Sequence, residues 1–492
     1  MNILLVYPEF PDTFWSFKHA LKFVHKKAGA PPLGLLTVAA MLPAAWQKRL
    51  VDLNVTSLTQ ADLAWADYAF ISGMTVQRES ARMVIARCKE AGVKIVAGGP
   101  LFTMEHDQFP EVDHFVLNEA ELTLQPFLSD LANGCAQQIY TTTEFPEIQN
   151  TPVPLWRLAD LKHYESISIQ FSRGCPFNCD FCNVTLLLGH RPRLKTAVQI
   201  IAELDDIYTL GWRKGVFFVD DNFIGNKKQL KTELLPALIE WRKDKVGMSF
   251  NTEVSINLAD DPELLDLMVQ AGFNTVFVGI ETPNVDSLVE CNKSQNKGRD
   301  LVESVKVLQR AGLQVQGGFI VGFDNDTSTI FQQQIDFIQK SGIVTAMVGL
   351  LQAPPGTHLY QRLKREGRLL KDISGDNMDG STNIIPRMGL ASLREGYRKI
   401  LAQIYSPKSY TDRVITFLRE YQPPRVKVHW EPQYVLALGR SIYRLGILSV
   451  ERVHYWRLFF WTLFRRPRLF PLAITLTIYG FHFRQVVKLH VI

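Results

Sequence analysis

Three cysteines, Cys175, Cys179 and Cys182, stand at C-x₃-C-x₂-C spacing in the stretch Ser172-Arg173-Gly174-Cys175-Pro176-Phe177-Asn178-Cys179-Asp180-Phe181-Cys182. Three thiolates this close wrap around one object, and thiolates hold iron–sulfur clusters. A [4Fe–4S] cube offers four irons, so three cysteines leave one iron open, and an open position separates a reactive metal site from a structural one. Gly174 and Pro176 let the loop bend around such a cube. Two other readings compete. His190 is close enough in sequence to complete a zinc site, yet structural zinc sites usually show paired C-x₂-C halves and no second half exists here. A disulfide is the weaker rival, because crowded cysteines in a large chain without secretory features point to metal binding or catalysis.

The elements that must position this loop follow from size and pattern. A chain of 492 residues holds two to four domains, and its 46% hydrophobic and 21% charged content is ordinary for a globular protein. The other cysteines, Cys88, Cys135 and Cys291, are scattered, which argues against a disulfide scaffold. Met1–Pro8 has no basic region and no long apolar run, so it reads as a first β-strand and not as a signal peptide. The net charge of +5 is uneven: residues 425–492 carry 11 Lys/Arg against 2 Asp/Glu.

Residues 1–145 alternate short apolar strands (Ile3–Tyr7, Tyr68–Met74, Val93–Ala97, Val112–Val116) with helical stretches such as Arg78–Ala91, which stops at Gly92. That rhythm predicts a doubly wound parallel sheet, whose ligands sit at the carboxyl ends of the strands. Those ends carry Met74-Thr75, Gly98-Gly99-Pro100 and Asn118-Glu119, where glycine lets a large flat ligand approach the backbone. Residues 146–165, with Pro146, Pro152 and Pro154, read as a linker whose Leu155-Trp156 plugs a domain surface. From 166 to 370 six strands recur: Ser166–Phe171, Lys214–Val219, Met248–Val254, Asn274–Gly279, Gln316–Val321 and Val344–Leu351. Each is followed by helix-like sequence, which predicts a partial (β/α)₆ barrel with its site at the C-terminal strand ends. Residues 371–492 lose the βα rhythm and read as mainly helical, with a candidate helix over Gly389–Tyr405 and a break at Gln422-Pro423-Pro424. Beyond the break come Trp430, Tyr434, Tyr443, Trp456, Phe460 and Phe464 among arginines, then the 13-residue apolar run Leu469–Phe481. That run is shorter than the ~17–25 residues a bilayer span needs. A basic aromatic tail therefore reads as an interfacial anchor on a membrane surface; the competing readings are a helical cap packed on the barrel and, less favoured, a nucleic-acid surface.

The cysteine motif resembles that of the radical S-adenosylmethionine (radical SAM) enzymes, in which SAM chelates the open iron and is split to a 5′-deoxyadenosyl radical. Residues 1–145 resemble the cobalamin-binding, Rossmann-like domain that precedes many radical SAM barrels, Pro31–Ala39 matching its Pro-x-Gly-Leu segment. The D-x-H-x-x-G motif that supplies a cobalt-ligating histidine is absent, and Asn118 stands where that family usually has glycine. On the resemblance, Asp220-Asp221-Asn222-Phe223 occupies the place of the acidic motif that meets SAM's amino group. Glu253 and Glu281 are candidates for its ribose or polar contacts, although either carboxylate could instead be a rim ion pair or a helix cap. Gly318 and Gly322 frame the glycine motif beside the adenine, and Lys293 is either a contact to SAM's carboxylate or a surface lysine. Met74, Thr75, Gly98, Gly99 and Pro100 are the cobalamin contacts.

The whole order of motifs looks like the B12-binding radical SAM class that includes the hopanoid C-2 methylase group. It implies methylation of an unactivated carbon in an apolar substrate such as a polycyclic lipid. SAM would both fuel the radical and recharge cobalamin. A flavodoxin- or ferredoxin-like donor, a reducing cytoplasm, a peripheral place on the inner membrane face and no nucleic-acid partner go with it. Rival implications are a cyclase of the anaerobic magnesium-protoporphyrin ester type and a non-catalytic corrinoid and iron–sulfur sensor. Methylthio transfer to tRNA fits less well, because its family carries three further cysteines in the N-terminal domain.

Overall fold

The computed structural model describes residues 1–370, 373–376, 378–423 and 432–490. Two parallel sheets dominate it. The first holds β1 (Asn2–Tyr7), β2 (Gln47–Asp52), β3 (Tyr68–Ser72), β4 (Lys94–Gly98), β5 (His114–Val116) and β6 (Ile139–Tyr140) in the order β2-β1-β3-β4-β5-β6. Ile3, Leu4, Leu5 and Val6 are all fully buried, as expected of a strand covered by helices on both faces. The helices Leu33–Met41, Arg78–Glu90 and Ala120–Ala132 supply that cover. Two strands were not foreseen. In β2, Gln47-Lys48-Arg49 is polar and only Val51 and Asp52 are buried, so an edge strand hides its pattern; β6 has only two residues.

The second sheet follows the linker: β7 (Ile167–Ile169), β10 (Val216–Phe218), β11 (Phe250–Val254), β12 (Phe273–Glu281), β13 (Gln314–Val321) and β14 (Ala346–Leu350), while β8 (Ser172–Arg173) and β9 (Arg193–Leu194) form a small antiparallel pair. Its order, β14-β13-β12-β11-β10-β7, leaves β14 and β7 as unpaired edges of an open barrel. All six expected strands are present. Linker residue Trp156 is fully buried, and the Leu155 N–H donates to the Leu36 carbonyl at 3.0 Å. The linker is thus a packed wedge between the two sheets.

The extension consists of helices Leu390–Ile404, Pro407–Glu420, Pro432–Ser441, Arg452–Arg465 and Phe470–His490, with a π-turn at Ile442–Leu448. It is tied to the starts of the last barrel strand and to its neighbours. The Tyr405 hydroxyl donates to the Ala346 carbonyl at 2.7 Å, and the buried Arg413 guanidinium donates to Gln339, Ile404 and Val344. The Phe14 ring stacks on Phe483 at 4.2 Å. These contacts correct one expectation. The apolar run Leu469–Phe481 is core for much of its length: Ala473 and Leu476 are fully buried, and the Leu476 carbonyl accepts the Tyr410 hydroxyl. Exposed apolar residues lie instead on Arg452–Arg465, on Pro432–Ser441 and in the turn Ile442–Leu448. Among the described residues no helix is long and apolar enough to cross a membrane. Pro424 and Trp430, on which the tail reading also drew, lie outside the described residues.

Candidate functional site

β7 delivers the cysteine loop, and β8 pairing with β9 closes its base. Gly174 has φ +96°, and a side chain there would meet the carbonyls of Leu188, Gly189 and Arg191 at 2.8–2.9 Å. Only glycine fits that turn. The Cys175 N–H donates to the Gly189 carbonyl at 3.2 Å, and the Cys182 N–H to the Cys179 carbonyl at 3.1 Å. The three thiols are half-buried, and burial pushes all three up, Cys182 to about 12. They become thiolates only when a positive centre compensates them, as in metal binding. Gln295 Nε2 donates to Cys179 Sγ at 3.8 Å, and the Lys293 ammonium lies near Cys179 and Cys182. His190 is exposed. Among the described residues no three His, Cys, Asp or Glu side chains converge as a single metal ion requires. A cube spreads its three cysteines over three irons, so it does not impose that convergence.

The carboxylates lie at the C-terminal strand ends and divide by strand alternation. Phe217, Val219 and Asp221 line a cavity of 1910 Å³. Asp220 points the other way, is fully buried, and accepts the N–H groups of Phe171 and Ser172. It therefore braces the root of the cysteine loop. Asn222 is also committed, its Oδ1 accepting the Ser255 N–H at 3.1 Å. Asp221 and Glu253 face the cavity. Burial pushes Asp221 up to about 6. Burial, then the charges of Asp221 and Asp220, push Glu253 up to about 8. Among the described residues the buried Asp221 Oδ2 has no hydrogen-bond partner. The nearby Lys293 ammonium is held by Glu281, so Asp221 is left to meet a cationic ligand.

Glu281 is placed differently. It sits at φ +62°, a backbone region unusual outside glycine and often retained at functional sites. Asn296 Nδ2 donates to the Gly279 and Ile280 carbonyls, and Gln334 Nε2 donates to the Glu281 carbonyl at 3.0 Å, which fixes that backbone. Its carboxylate takes the Lys293 ammonium at 2.5 Å. Lys293 is thus a buried ion-pair partner beside the cysteines and not a surface lysine. Gly318 and Gly322 do not line the cavity. A side chain on Gly318 would strike the Phe277 ring at 2.8 Å, and Gly322, at φ +111°, lies against Leu393.

At the first sheet, Met74, Gly98, Gly99 and Pro100 line the same cavity, and Thr75 lies just outside it. The glycines answer to the protein's own backbone as well as to any ligand. A Cβ on Gly98 would be 2.5 Å from the Val116 carbonyl, and one on Gly99, at φ +85°, 2.3 Å from Ser72 Oγ. Asn118 has φ +61°, a conformation asparagine tolerates, which explains how it stands in for glycine. None of the described histidines lines the cavity.

Sequence reasoning missed the cluster that joins the two sheets. Glu119 takes Arg193 at 2.6 Å and Arg173 at 2.5 Å, and Glu121 takes Arg173 at 2.9 Å. Arg193 also donates to the Pro146 carbonyl at 2.6 Å. Burial pushes Glu121 up, but the charge and hydrogen bonds of Arg173 and the Thr151 hydroxyl outweigh it and hold the carboxyl low. The available signal was a pair of acids at a strand end and an arginine two residues before the first motif cysteine.

Three family models match the chain: the B12 binding domain over residues 26–128, the Radical SAM superfamily over 169–338, and a domain of unknown function, DUF4070, over 357–491. An uncharacterized methyltransferase of Synechocystis sp. is 41% identical over 99% of this chain and 92% of its own length. The hopanoid C-2 methylase of Rhodopseudomonas palustris is 34% identical over 93% of this chain and 88% of its own. Two solved structures share the fold. The cobalamin-dependent radical enzyme OxsB has a TM-score of 0.62 at 13% identity and covers 99% of this chain and 80% of its own. The methyltransferase TsrM of Kitasatospora setae has a TM-score of 0.61 at 14% identity and covers 93% of this chain and 99% of its own.

Proposed function

We propose, since the chain belongs to the B12-binding radical SAM methyltransferase family that holds the hopanoid C-2 methylase, that it methylates an unactivated carbon of an apolar, polycyclic lipid. It is an enzyme whose cofactors are a [4Fe–4S] cluster, SAM and cobalamin. When bound, these supply a hydrogen-abstracting radical and a methyl group. The observation that carries the substrate reading is the cavity itself: it has carboxylates and strand-end glycines at one end and apolar side chains from three segments at the other.

The chain's own residues divide the work. Cys175, Cys179 and Cys182 hold the cluster, with Lys293 beside two of them offsetting thiolate charge. Asp221 and Glu253 accept from the cationic and hydroxyl groups of SAM, an assignment supported by their place on the cavity wall and, among the described residues, by the unpartnered Asp221 Oδ2. Asp220 and Asn222 stand one layer behind and keep the loop and β11 in place. Glu281, Gly318 and Gly322 shape the adenine side through their backbone. Met74, Gly98, Gly99 and Pro100, with Thr75 beside them, would hold cobalamin at the first sheet. Trp15 lines the lumen, its Nε1–H donating to Met347 Sδ at 2.9 Å. A flavodoxin- or ferredoxin-like protein delivers the electron, and the enzyme works peripherally on the inner face of the membrane.

The test is anaerobic reconstitution followed by incubation with SAM, cobalamin, reductant and a pentacyclic hopanoid. The expected outcome is 5′-deoxyadenosine release and a product one methyl group heavier. A product with a new ring and no added carbon, or no deoxyadenosine at all, overturns the reading.

A further inference from the structure

Helix Arg452–Arg465 exposes Val453 (71%), Phe460 (48%) and Phe464 (78%) along one face, and Ile447, Leu448 and Val450, just before the helix, are exposed as well. Trp456 stacks on Phe460 at 5.5 Å, and Phe460 on Phe464 at 6.2 Å with rings 13° apart. Isolated exposed apolar residues need no explanation, but a continuous ladder of them marks a binding face. Its rim is cationic. Arg452, Arg465 and Arg468 are exposed, and among the described residues none of the three pairs with a carboxylate. Aromatic rings flanked by unpaired arginines match the boundary between lipid acyl chains and anionic headgroups.

The same helical region ends the cavity. Its far end is lined by Tyr434, Val435 and Leu438 from one helix and Phe470, Ile474 and Ile478 from another. Tyr434 and Val435 are themselves 42% and 52% exposed, so they reach both the interior space and the outer surface. From there the cavity continues past Asn274, Thr275, Gln316 and Met347 of the barrel to Asp221 and Glu253.

We infer that the stripe Val453–Phe464 docks on an anionic bilayer, and that Tyr434, Val435, Leu438, Phe470 and Ile474 form a port through which a lipid passes from that bilayer into the barrel. The port deepens the apolar-substrate reading above and rests on it. It makes the helical extension a specificity element: the port admits a rigid apolar body and leaves the polar end of the lipid at the arginine rim.

The test floats the reconstituted holoenzyme with vesicles of phosphatidylcholine and phosphatidylglycerol in equal parts, carrying a pentacyclic hopanoid. Wild type is expected to float with these vesicles and not with pure phosphatidylcholine. F460E/F464E alters only exposed rings; it should lower the bound fraction at least about tenfold, with an unchanged melting temperature and cluster spectrum. V435W should bind vesicles as wild type does but remove at least about fivefold less hopanoid from them. Flotation of F460E/F464E equal to wild type, or stripe-dependent dimerisation without vesicle binding, overturns the docking face. Hopanoid removal by V435W equal to wild type overturns the port. A micelle arm separates this from the underlying reading. If micellar hopanoid is methylated but vesicle turnover ignores both variants, the docking face and the port fall and the substrate reading stands; if hopanoid is neither bound nor methylated in micelles, the apolar substrate itself is wrong.

Discussion

Glu119→Gln removes the charge that faces two guanidiniums across the sheet boundary. The Glu119 side chain is 6% exposed and that of Arg193 8%, so water does little to replace what is lost. Deleting one partner of a buried ion pair costs about 3–5 kcal/mol, because the other charge is left buried and uncompensated. Here Arg173 keeps Glu121, and Arg193 keeps the Pro146 and Leu188 carbonyls. The loss should therefore sit at the low end, about 3 kcal/mol. A chain with two sheets and an extension does not unfold in a single step. The assay is the urea midpoint of the first transition, together with protease cleavage within residues 146–165. A cycle with Arg193→Met isolates the pair and should give a coupling of about 1.5 kcal/mol or more. The latch also sets the position of Gly98 and Gly99 relative to the cysteine loop. Methyl transfer should therefore fall further than deoxyadenosine formation, which depends on the barrel alone. Additivity of the two substitutions within about 0.5 kcal/mol, with both product yields falling together, would refute the reasoning.

Three further outcomes follow from the site and its surroundings. Replacing Cys175, Cys179 and Cys182 with Ala should abolish the iron–sulfur absorption and EPR signals while bound corrinoid remains; retained cluster iron would count against these ligands. Glu253 has its folded value at about 8, above the ordinary carboxyl, so the native state holds the proton more tightly than the unfolded chain does. The ligand-free protein therefore loses stability as pH rises from the ordinary carboxylate range toward 8. Glu253→Gln should flatten that slope and weaken SAM binding about tenfold by calorimetry, and an unchanged slope would remove Glu253 from the account. Burial pushes Asp324 up, but hydrogen bonds and charge from Arg368 and Arg362 outweigh it and bring the carboxyl down to about 2. Its contribution is present above the ordinary carboxylate value and is lost as pH falls toward 2. Asp324→Asn should thus cost about 1 kcal/mol at pH 7, allowing for screening, and almost nothing near pH 2.

The βα rhythm was legible because parallel strands are buried on both faces and leave continuous apolar runs; all six barrel strands were readable that way. β2 was not, because an edge strand keeps Gln47 and Arg49 in solvent. The cysteines were legible because short spacing alone forces three thiols together. The acidic motif was legible as a place but not as a set of roles. Alternation along β10 sends Asp221 into the cavity and Asp220 into the backbone of the cysteine loop, and phase depends on where the strand meets its neighbours. Glu281 was named without its partner, since Lys293 reaches it only through the left-handed turn at Glu281 itself. The latch showed in the sequence only as acids at a strand end and an arginine near the cysteines; the pairing itself was not readable, because its partners lie 54 and 74 residues apart. In the extension, periodicity marked apolar faces but could not say what covers each. Phe14 and Tyr410 cover Phe470–His490, and among the described residues the outer face of Arg452–Arg465 lacks such cover.

The uneven charge of the sequence takes on a physical meaning once the cavity is traced. A nearly neutral body ends in a segment with 11 Lys/Arg against 2 Asp/Glu. The body concentrates raised carboxylates, Asp221 and Glu253, at one end of the cavity, and the extension places exposed arginines beyond the other. On the proposed reading, SAM and an anionic bilayer would be held at opposite ends of one space. An apolar substrate between them would respond to neither field, so shape and burial alone would place it. Substitutions at the acidic end should then change SAM affinity without altering substrate preference. Substitutions among Leu438, Phe470 and Ile474 should change preference without altering SAM affinity. A port-wall variant that shifts SAM affinity while hopanoid pickup stays constant would show that the two ends are not separate.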